Sequence, residues 1–162
     1  MTSAYRHIAN TDFAVQNGGG IRTDMFPKGA ITVKQVYELD PFANKLMICK
    51  MTPKGIRQLI ANGYTKEHEA EIYSSGFSSK IYIDRNENIT NIKLLKDDGS
   101  VLDENKVYTV AMGSYLCNAY SFERTGNCTS VGITTTDALF KFLSQIKSIQ
   151  SIKNKSTKIV KQ

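Results

Sequence analysis

Three consecutive glycines, Gly18–Gly20, follow a short apolar run and constrain this chain more than any other feature. The run Phe13–Val15 is predicted to be a strand, and the glycines remove every Cβ from the loop that it enters. The backbone there can approach another group closely or adopt positive φ angles. Arg22 stands where the loop ends, and its fork of donors suits a phosphate, a carboxylate or sugar hydroxyls. A tight structural turn explains the glycines equally well.

A second turn, with the sequence Pro-Phe-Ala-Asn, occupies residues 41–44. It offers the aromatic face of Phe42 and the amide of Asn44 in one short segment. An aromatic face can stack on a planar base, and an amide can read the donors and acceptors along its edge. This turn and the glycine loop therefore indicate a binding site for a small ligand with a flat ring.

The charge of the chain is concentrated near its end. At 162 residues the chain is long enough for one domain with a sizeable core, and no apolar run is long enough for a membrane helix. The net charge of +6 equals the number of lysines from residue 141 onward, a segment without acids. We interpret this segment as a solvated terminus, and we predict neither a nucleic-acid nor a membrane partner.

The three cysteines, Cys49, Cys117 and Cys128, cannot all pair within one chain. No Cys-x-x-Cys motif is present to indicate metal or redox chemistry. Cys49 lies in an apolar run and is predicted to be a buried free thiol. A Cys117–Cys128 bridge is an alternative if the protein is extracytoplasmic.

Apolar periodicity predicts a mixture of helices and strands. Helices are expected up to residue 9, after Thr32, from Pro53 to Asn62, and from about Thr136. Strands are expected at 12–16, 45–51, 79–83, 89–95 and 106–112. The polar segment 64–74 contains His68 among several glutamates, and a solvated helix or loop is favoured there over a metal site. The pattern predicts a single α+β domain.

Four collinear stretches carry a resemblance to a known family: 14–24, 29–60, 106–116 and 134–143. They resemble the C-terminal domain of the 5′-nucleotidase and UDP-sugar hydrolase family. The resemblance implies an α+β fold with layered mixed β-sheets and helices. On this basis residues 1–148 are predicted to form the substrate-binding domain, and residues 149–162 a lysine-rich C-terminal tail.

The resemblance also implies a division of labour between two domains. An N-terminal metallophosphoesterase domain or subunit would bind two divalent metals and hydrolyse nucleotide phosphate esters. Its Asp-x-His and Gly-Asn-His-Glu signatures are absent here, so this chain is predicted to contain no catalytic residue, no metal ligand and no cofactor. The chain alone is expected to bind a nucleoside or nucleotide without cleaving it. A periplasmic, cell-surface or secreted location is implied.

The resemblance assigns the substrate-binding positions residue by residue: Asn17, Gly19, Gly20, Arg22, Phe42, Asn44, Gly76, Tyr115 and Ser121. Phe42 and Tyr115 match two aromatics that sandwich the base, and Asn44 matches an amide that contacts it. Gly76 matches a backbone position near the base. Plain core packing is an alternative for the two aromatics.

Ser121 departs from the family pattern, because relatives commonly have an aspartate that holds the ribose hydroxyls. A neutral hydrogen bond in place of a charge-assisted one costs about 1 kcal/mol. The altered segment 118–122 therefore supports an alternative function, a stand-alone, non-catalytic binding module with modified ribose recognition.

Overall fold

The structure, a computed structural model, describes residues 1–146, 148–149 and 157–162. The helices in these ranges are α1 (Thr2–Ala9), α2 (Val33–Leu39), α3 (Pro53–Glu67), α4 (Ser114–Ala119) and α5 (Thr135–Gln145), with a 3₁₀ turn at Gly18–Gly20. The strands are β1 (Phe13–Asn17), β2 (Lys45–Met51), β3 (Ile72–Ser75), β4 (Phe77–Ile83), β5 (Ile89–Lys96), β6 (Tyr108–Gly113), β7 (Thr129–Thr134) and β8 (Lys158–Lys161). One sheet has the order β3-β1-β6-β2-β7 and a second has the order β5-β4-β8. The predicted α+β class is confirmed.

Side chains of the five-stranded sheet alternate between two apolar cores. Ala14 and Ala111 pack into one core with residues from α1, α2 and α5. Val15, Val110 and Met112 point to the other core, which includes residues from α3, α4 and the second sheet. Because neighbouring residues of a strand face opposite sides, this alternation places the five-stranded sheet between two layers.

Threonine caps fix where three helices begin. The hydroxyls of Thr32, Thr52 and Thr134 each accept a hydrogen bond from the backbone N–H three residues later. Such caps satisfy one of the unpaired amide groups in the first turn. The helix starts predicted after Thr32 and at Pro53 are confirmed. Of the described helices, none has the length and apolar character needed to cross a membrane.

The predicted end of α3 at Asn62-Gly63 is wrong, because the helix continues to Glu67. Gly63 allows close packing: a Cβ on it would lie 2.8 Å from Cγ1 of Ile72 in β3. The helix ends where His68 adopts a left-handed φ of 55°. A helical glycine can therefore serve contact with a neighbouring strand as well as helix termination.

The end of the chain corrects the predicted lysine-rich tail. Residues 150–156 of that segment lie outside the described residues. Residues 158–161, however, form β8 and pair in parallel with β4, with Lys158 opposite Lys80. At least this part of segment 149–162 belongs to the folded domain. Its partner strand is distant in sequence, so no local pattern indicated the pairing.

The disulfide also differs from the prediction. Cys49 is bonded to Cys128, and the free cysteine is the buried Cys117. Strands β2 and β7 are antiparallel neighbours with Ile48 opposite Thr129, which places the adjacent cysteines face to face. The expectation of a free Cys49 is therefore wrong, as is the alternative Cys117–Cys128 bridge. Strand β7 was not predicted, and without it the pairing could not be found.

Candidate functional site

The strand register gathers three loops at one end of the five-stranded sheet. Strands β1 and β6 are parallel, with Phe13 opposite Val110, so both finish at the same end. Strand β2 is antiparallel to β6, with Leu46 opposite Gly113, so it begins at that end. We call this the Asn17 end, formed by residues 17–22, 42–44 and 113–115. The opposite end, where β1 begins, is called the Asp12 end.

The glycine loop is hydrogen-bonded to Glu71, which precedes β3. Gly18 N–H donates to the backbone carbonyl of Glu71 and Gly19 N–H to its Oε1, each at 2.8 Å. A Cβ on Gly18 would lie only 2.6 Å from Glu71 Oε2. None of the three glycines has a positive φ. Close approach within the protein is thus the reason for glycine here, and sequence reasoning did not identify the role of Glu71.

Asn17 stabilises the same loop. The residue is only 6% exposed, and its Oδ1 accepts a hydrogen bond from Gln16 Nε2 at 3.1 Å. The side chain of Gln16 in turn occupies the space that a Cβ on Gly20 would need. These contacts explain Asn17 and Gly20 without a ligand, and their predicted substrate contacts stay predictions.

Arg22 and Phe42 are brought together by the end of α2. The N–H of Arg22 donates to the carbonyl of Leu39 at 3.1 Å, and Phe42 follows three residues after Leu39. The guanidinium carbon of Arg22 lies 5.9 Å from the centre of the Phe42 ring, within the range of a cation–π contact. Arg22 is exposed, and Phe42 is 52% exposed. The packing alternative therefore does not describe Phe42.

Asn44 connects this pair to α4. Its Oδ1 accepts hydrogen bonds from the N–H of Tyr115 at 3.1 Å and from the hydroxyl of Ser114 at 3.2 Å. Its backbone carbonyl accepts from the N–H of Thr135 at 2.7 Å. Within the described part of the chain, the Asn44 Nδ2 group makes no hydrogen bond. The amide is therefore anchored through its oxygen and keeps two N–H donors for another partner.

Tyr115 is the second exposed aromatic at this end. It is 51% exposed, and its ring meets the ring of Tyr120 edge-on, with centroids 6.2 Å apart. Ser121 follows Tyr120 directly and is exposed. The structure therefore brings Arg22, Phe42, Asn44 and Tyr115 together at the Asn17 end, with Ser121 just beyond α4.

Gly76 does not join this group, and its predicted position near the base stays a prediction. It lies beside the start of β1, because its neighbour Ser75 pairs with Ala14. Five residues of strand, roughly 16 Å, separate the two ends of β1. Gly76 has a φ of 91°, and a Cβ there would lie 2.6 Å from the carbonyl oxygen of Asp12. Its glycine identity is explained by backbone conformation and packing.

Asp12 and Thr109 satisfy each other's hydrogen bonds at the Asp12 end. The carboxylate of Asp12 accepts hydrogen bonds from the N–H and the hydroxyl of Thr109, each at 2.8 Å. Partial burial alone would raise the pKa of Asp12, but these hydrogen bonds and the nearby charges of Lys106 and Arg6 outweigh it, and the pKa is lowered. The charged form of Asp12 thus fastens the start of β1 to β6.

A separate apolar groove of about 600 Å³ lies between α1, α5 and residues 23–31. Its lining includes Met25, Phe142 and Leu143, and it does not include Phe42 or Tyr115. Selective recognition of a polar ring needs convergent donors or acceptors as well as apolar walls. The donors of Arg22 and Asn44 lie instead beside the half-exposed rings at the Asn17 end.

The fold of this chain matches part of two solved nucleotidase structures. The crystal structure of a 5′-nucleotidase precursor from Thermus thermophilus superposes with a TM-score of 0.80 at 22% identity, over 98% of this chain and 34% of that chain. The Haemophilus influenzae NAD nucleotidase superposes with a TM-score of 0.72 at 17% identity, over 98% of this chain and 32% of that chain.

The sequence establishes the family. The profile described as "5′-nucleotidase, C-terminal domain" matches residues 1–122, and the chain belongs to this family. Protein UshA of Yersinia enterocolitica is 31% identical over 111 residues, which are 68% of this chain and 19% of that protein. A Vibrio parahaemolyticus 5′-nucleotidase is 31% identical over 105 residues, which are 61% of this chain and 18% of that protein. The chain thus spans about one fifth of these relatives.

Proposed function

We propose that this domain binds the nucleoside part of a nucleotide for a metal-dependent 5′-nucleotidase. The observation that carries the proposal is the common position of Arg22, Phe42, Asn44 and Tyr115 at the Asn17 end. Two half-exposed rings, a free amide donor and an exposed guanidinium form a set that packing does not require. Membership of the 5′-nucleotidase C-terminal family supports a nucleotide as the ligand.

Each of the four side chains has a distinct role in the proposed complex. Phe42 and Tyr115 stack on the faces of the base, and such stacking contributes about 1–3 kcal/mol per base. The Asn44 Nδ2 group donates to a ring nitrogen or carbonyl on the base edge. Arg22 binds the phosphate or the sugar hydroxyls.

The glycine loop positions Arg22 in this scheme. Gly18 and Gly19 use their N–H groups on Glu71, and the N–H of Arg22 is used on the carbonyl of Leu39. These donors are therefore not available to a phosphate. The loop instead brings the backbone of Arg22 against the end of α2, which places its guanidinium beside Phe42.

The hydrolytic step belongs to the remainder of the enzyme. In the proposed enzyme, an N-terminal metallophosphoesterase domain or subunit would hold two divalent metals, whose chemistry would be the activation of water for attack on phosphorus. The residues at the Asn17 end orient the nucleotide and take no part in proton transfer. The chain alone is accordingly expected to bind substrate without hydrolysing it.

The Cys49–Cys128 disulfide supports a periplasmic, cell-surface or secreted location for the protein. Among the relatives is a protein of Listeria monocytogenes named as a cell wall protein, 27% identical over 130 residues.

A second candidate function is a stand-alone, non-catalytic module with altered ribose recognition. The exposed Ser121, in a segment where family members commonly have an aspartate, favours it. This candidate uses the same base site, and it differs in having no metallophosphoesterase partner. This candidate would be excluded if the domain, joined to such a partner, gave an active phosphatase.

Isothermal titration of the chain with adenosine and AMP tests the proposed base site. The Phe42→Ala variant is expected to lose roughly 5- to 150-fold in affinity, the equivalent of one stacking contact. Tyr82→Ala removes a half-buried ring from the second sheet and serves as the matched control, with folding of both variants checked by circular dichroism. Equal affinities of the wild type and Phe42→Ala would refute the assignment of Phe42.

A further inference from the structure

Three sulfur atoms meet where β2, α4 and the start of β7 converge. Cys49 and Cys128 form the disulfide, and the Cys117 Sγ atom lies 3.5 Å from the Cys49 Sγ atom. All three sulfurs lie within 4.8 Å of one another. A free thiol in contact with a disulfide is the arrangement from which thiol–disulfide exchange proceeds.

The surroundings of the three sulfurs differ. Cys49 and Cys117 are buried, whereas Cys128 is only partly buried. The guanidinium of Arg124 lies beside Cys128, with Nη1 3.6 Å from its Sγ atom. The same Nη1 donates to the carbonyl of Cys117 at 3.2 Å, which holds the guanidinium in place. A positive charge beside a sulfur stabilises its thiolate and makes that sulfur the better leaving group.

We propose that Cys49, Cys117 and Cys128 form an internal thiol–disulfide exchange site. The Cys117 thiolate attacks the Cys49 sulfur, and a Cys49–Cys117 bond forms as the Cys49–Cys128 bond breaks. The electron pair leaves on the Cys128 thiolate beside Arg124. The proton lost by Cys117 passes to solvent, and Cys128 can take one up from solvent. One disulfide and one thiol exist before and after, so no external oxidant or reductant is consumed.

The exchange changes which parts of the chain are covalently joined. Before it, the bond ties β2 to the start of β7; afterwards, it ties β2 to α4. The free thiol moves from the buried Cys117 to the partly exposed Cys128. A reactive surface thiol, open to modification by a disulfide or an electrophile, is therefore available only in the second pairing.

The rate of the exchange depends on pH. Burial raises the pKa of the Cys117 thiol to about 11, so the thiol is almost fully protonated at neutral pH. The thiolate is the attacking species, and its fraction rises about tenfold per pH unit below that pKa. The rate of exchange is expected to rise by the same factor per unit between pH 7 and pH 9.

Disulfide mapping of the whole chain tests the proposal, because trypsin places the three cysteines on separate peptides. Cleavage after Lys45, Lys50 and Arg124 separates Cys49, Cys117 and Cys128. Native protein is incubated at pH 7, 8 or 9 and quenched in acid, and its thiols are then capped with N-ethylmaleimide at pH 6 in denaturant. Mass spectrometry after digestion is expected to show the label moving from the Cys117 peptide to the Cys128 peptide, faster at higher pH.

Two variants keep the test decisive. Cys117→Ser is expected to carry no label on the Cys128 peptide at any pH, because the attacking sulfur is gone. Cys128→Ser, treated with oxidised glutathione, is expected to form the Cys49–Cys117 bond and lose its reaction with N-ethylmaleimide. Label confined to Cys117 in the wild type, or label appearing on Cys49, would overturn the proposal, as would failure of the Cys49–Cys117 bond to form in Cys128→Ser.

Discussion

The two ends of the five-stranded sheet contain similar residue types but use them differently. At the Asp12 end, Thr109 donates two hydrogen bonds to the Asp12 carboxylate, and Gly76 is packed against the adjoining backbone. At the Asn17 end, Phe42 and Tyr115 keep about half of their surface in solvent. Asp12 and Thr109 satisfy each other at one end, whereas the Asn44 Nδ2 group and the exposed guanidinium of Arg22 remain available at the other.

The difference between satisfied and exposed side chains helps to distinguish structural residues from candidate binding residues in one domain. The presence of a glycine or a carboxylate does not by itself indicate a binding site, since Gly76 and Glu71 are both explained by contacts within the protein. Half-exposed aromatic rings beside an uncommitted donor need a different explanation, because burying them would be favourable. The proposed ligand, stacked on both rings, would supply that explanation.

The Gly76→Ala variant is expected to give the largest effect and to act on stability alone. The added Cβ clashes with the carbonyl oxygen of Asp12, and the positive φ is unfavourable for alanine, so a loss of about 2–3 kcal/mol is expected. Thermal unfolding followed by circular dichroism measures the loss. Unchanged affinity for AMP below the unfolding transition is the expected companion result. A large rise in Kd would return Gly76 to the binding site.

The Asn44→Ala variant is expected to lower both the stability of the domain and its affinity for adenosine. It removes the acceptor that holds the first turn of α4, with a loss of about 1 kcal/mol in the free energy of unfolding. It also removes the donor proposed for the base edge, so adenosine affinity is expected to fall about tenfold. Asn44→Asp is the matched control, since it keeps an acceptor for Tyr115 N–H but lacks the donor. Full affinity in Asn44→Asp would contradict the proposed donor role.

The Asp12→Asn variant is expected to lose about 1 kcal/mol of stability at pH 7, the difference between charge-assisted and neutral hydrogen bonds. Because the pKa of Asp12 is lowered by folding, its contribution is complete above the unfolded pKa of about 4 and is lost as the pH falls through the folded pKa. Denaturant unfolding from pH 7 to pH 2 should show the two proteins converging in stability. A constant difference across this range would show that the charge of Asp12 contributes nothing.

The smallest effect is expected from Ala43→Gly at the Asn17 end. Ala43 has a φ of 49°, a conformation that glycine adopts without the steric penalty of a Cβ. The relief is about 1 kcal/mol, partly offset by the greater freedom of glycine in the unfolded chain. Chemical denaturation should therefore show a small gain in stability. A clear loss would mean that the turn between Phe42 and Asn44 depends on the alanine side chain.

Local signals predicted much of this molecule, whereas features set by strand register could not be predicted. The helix starts after Thr32 and at Pro53, and the strand β2, were predicted because each depends on neighbouring residues. Arg22 and Phe42 were assigned to one site from their flanking motifs. The use of Glu71 by the glycine loop depends instead on antiparallel pairing of β1 with β3, a strand that the polar segment 64–74 concealed.

Gly76 also shows that strand register could not be predicted from local sequence. A motif match fixes a residue's place in the sequence, but its distance from the site depends on which end of β1 it reaches. Likewise, Cys49 was expected to be free because its alternation with apolar residues indicated burial and nothing indicated a partner. The pairing of β2 with β7 supplied that partner.

The position of β8 has a consequence for how the protein is made. Strand β4 is the centre of the second sheet, and one of its two neighbours is the segment Lys158–Lys161. On the ribosome, β4 can pair with β5 early, but its other edge stays open until synthesis has passed residue 161. An open strand edge can pair with other chains. The nascent domain therefore completes its second sheet only after residue 161 has been synthesised, and until then this edge of β4 is open to pairing with other strands.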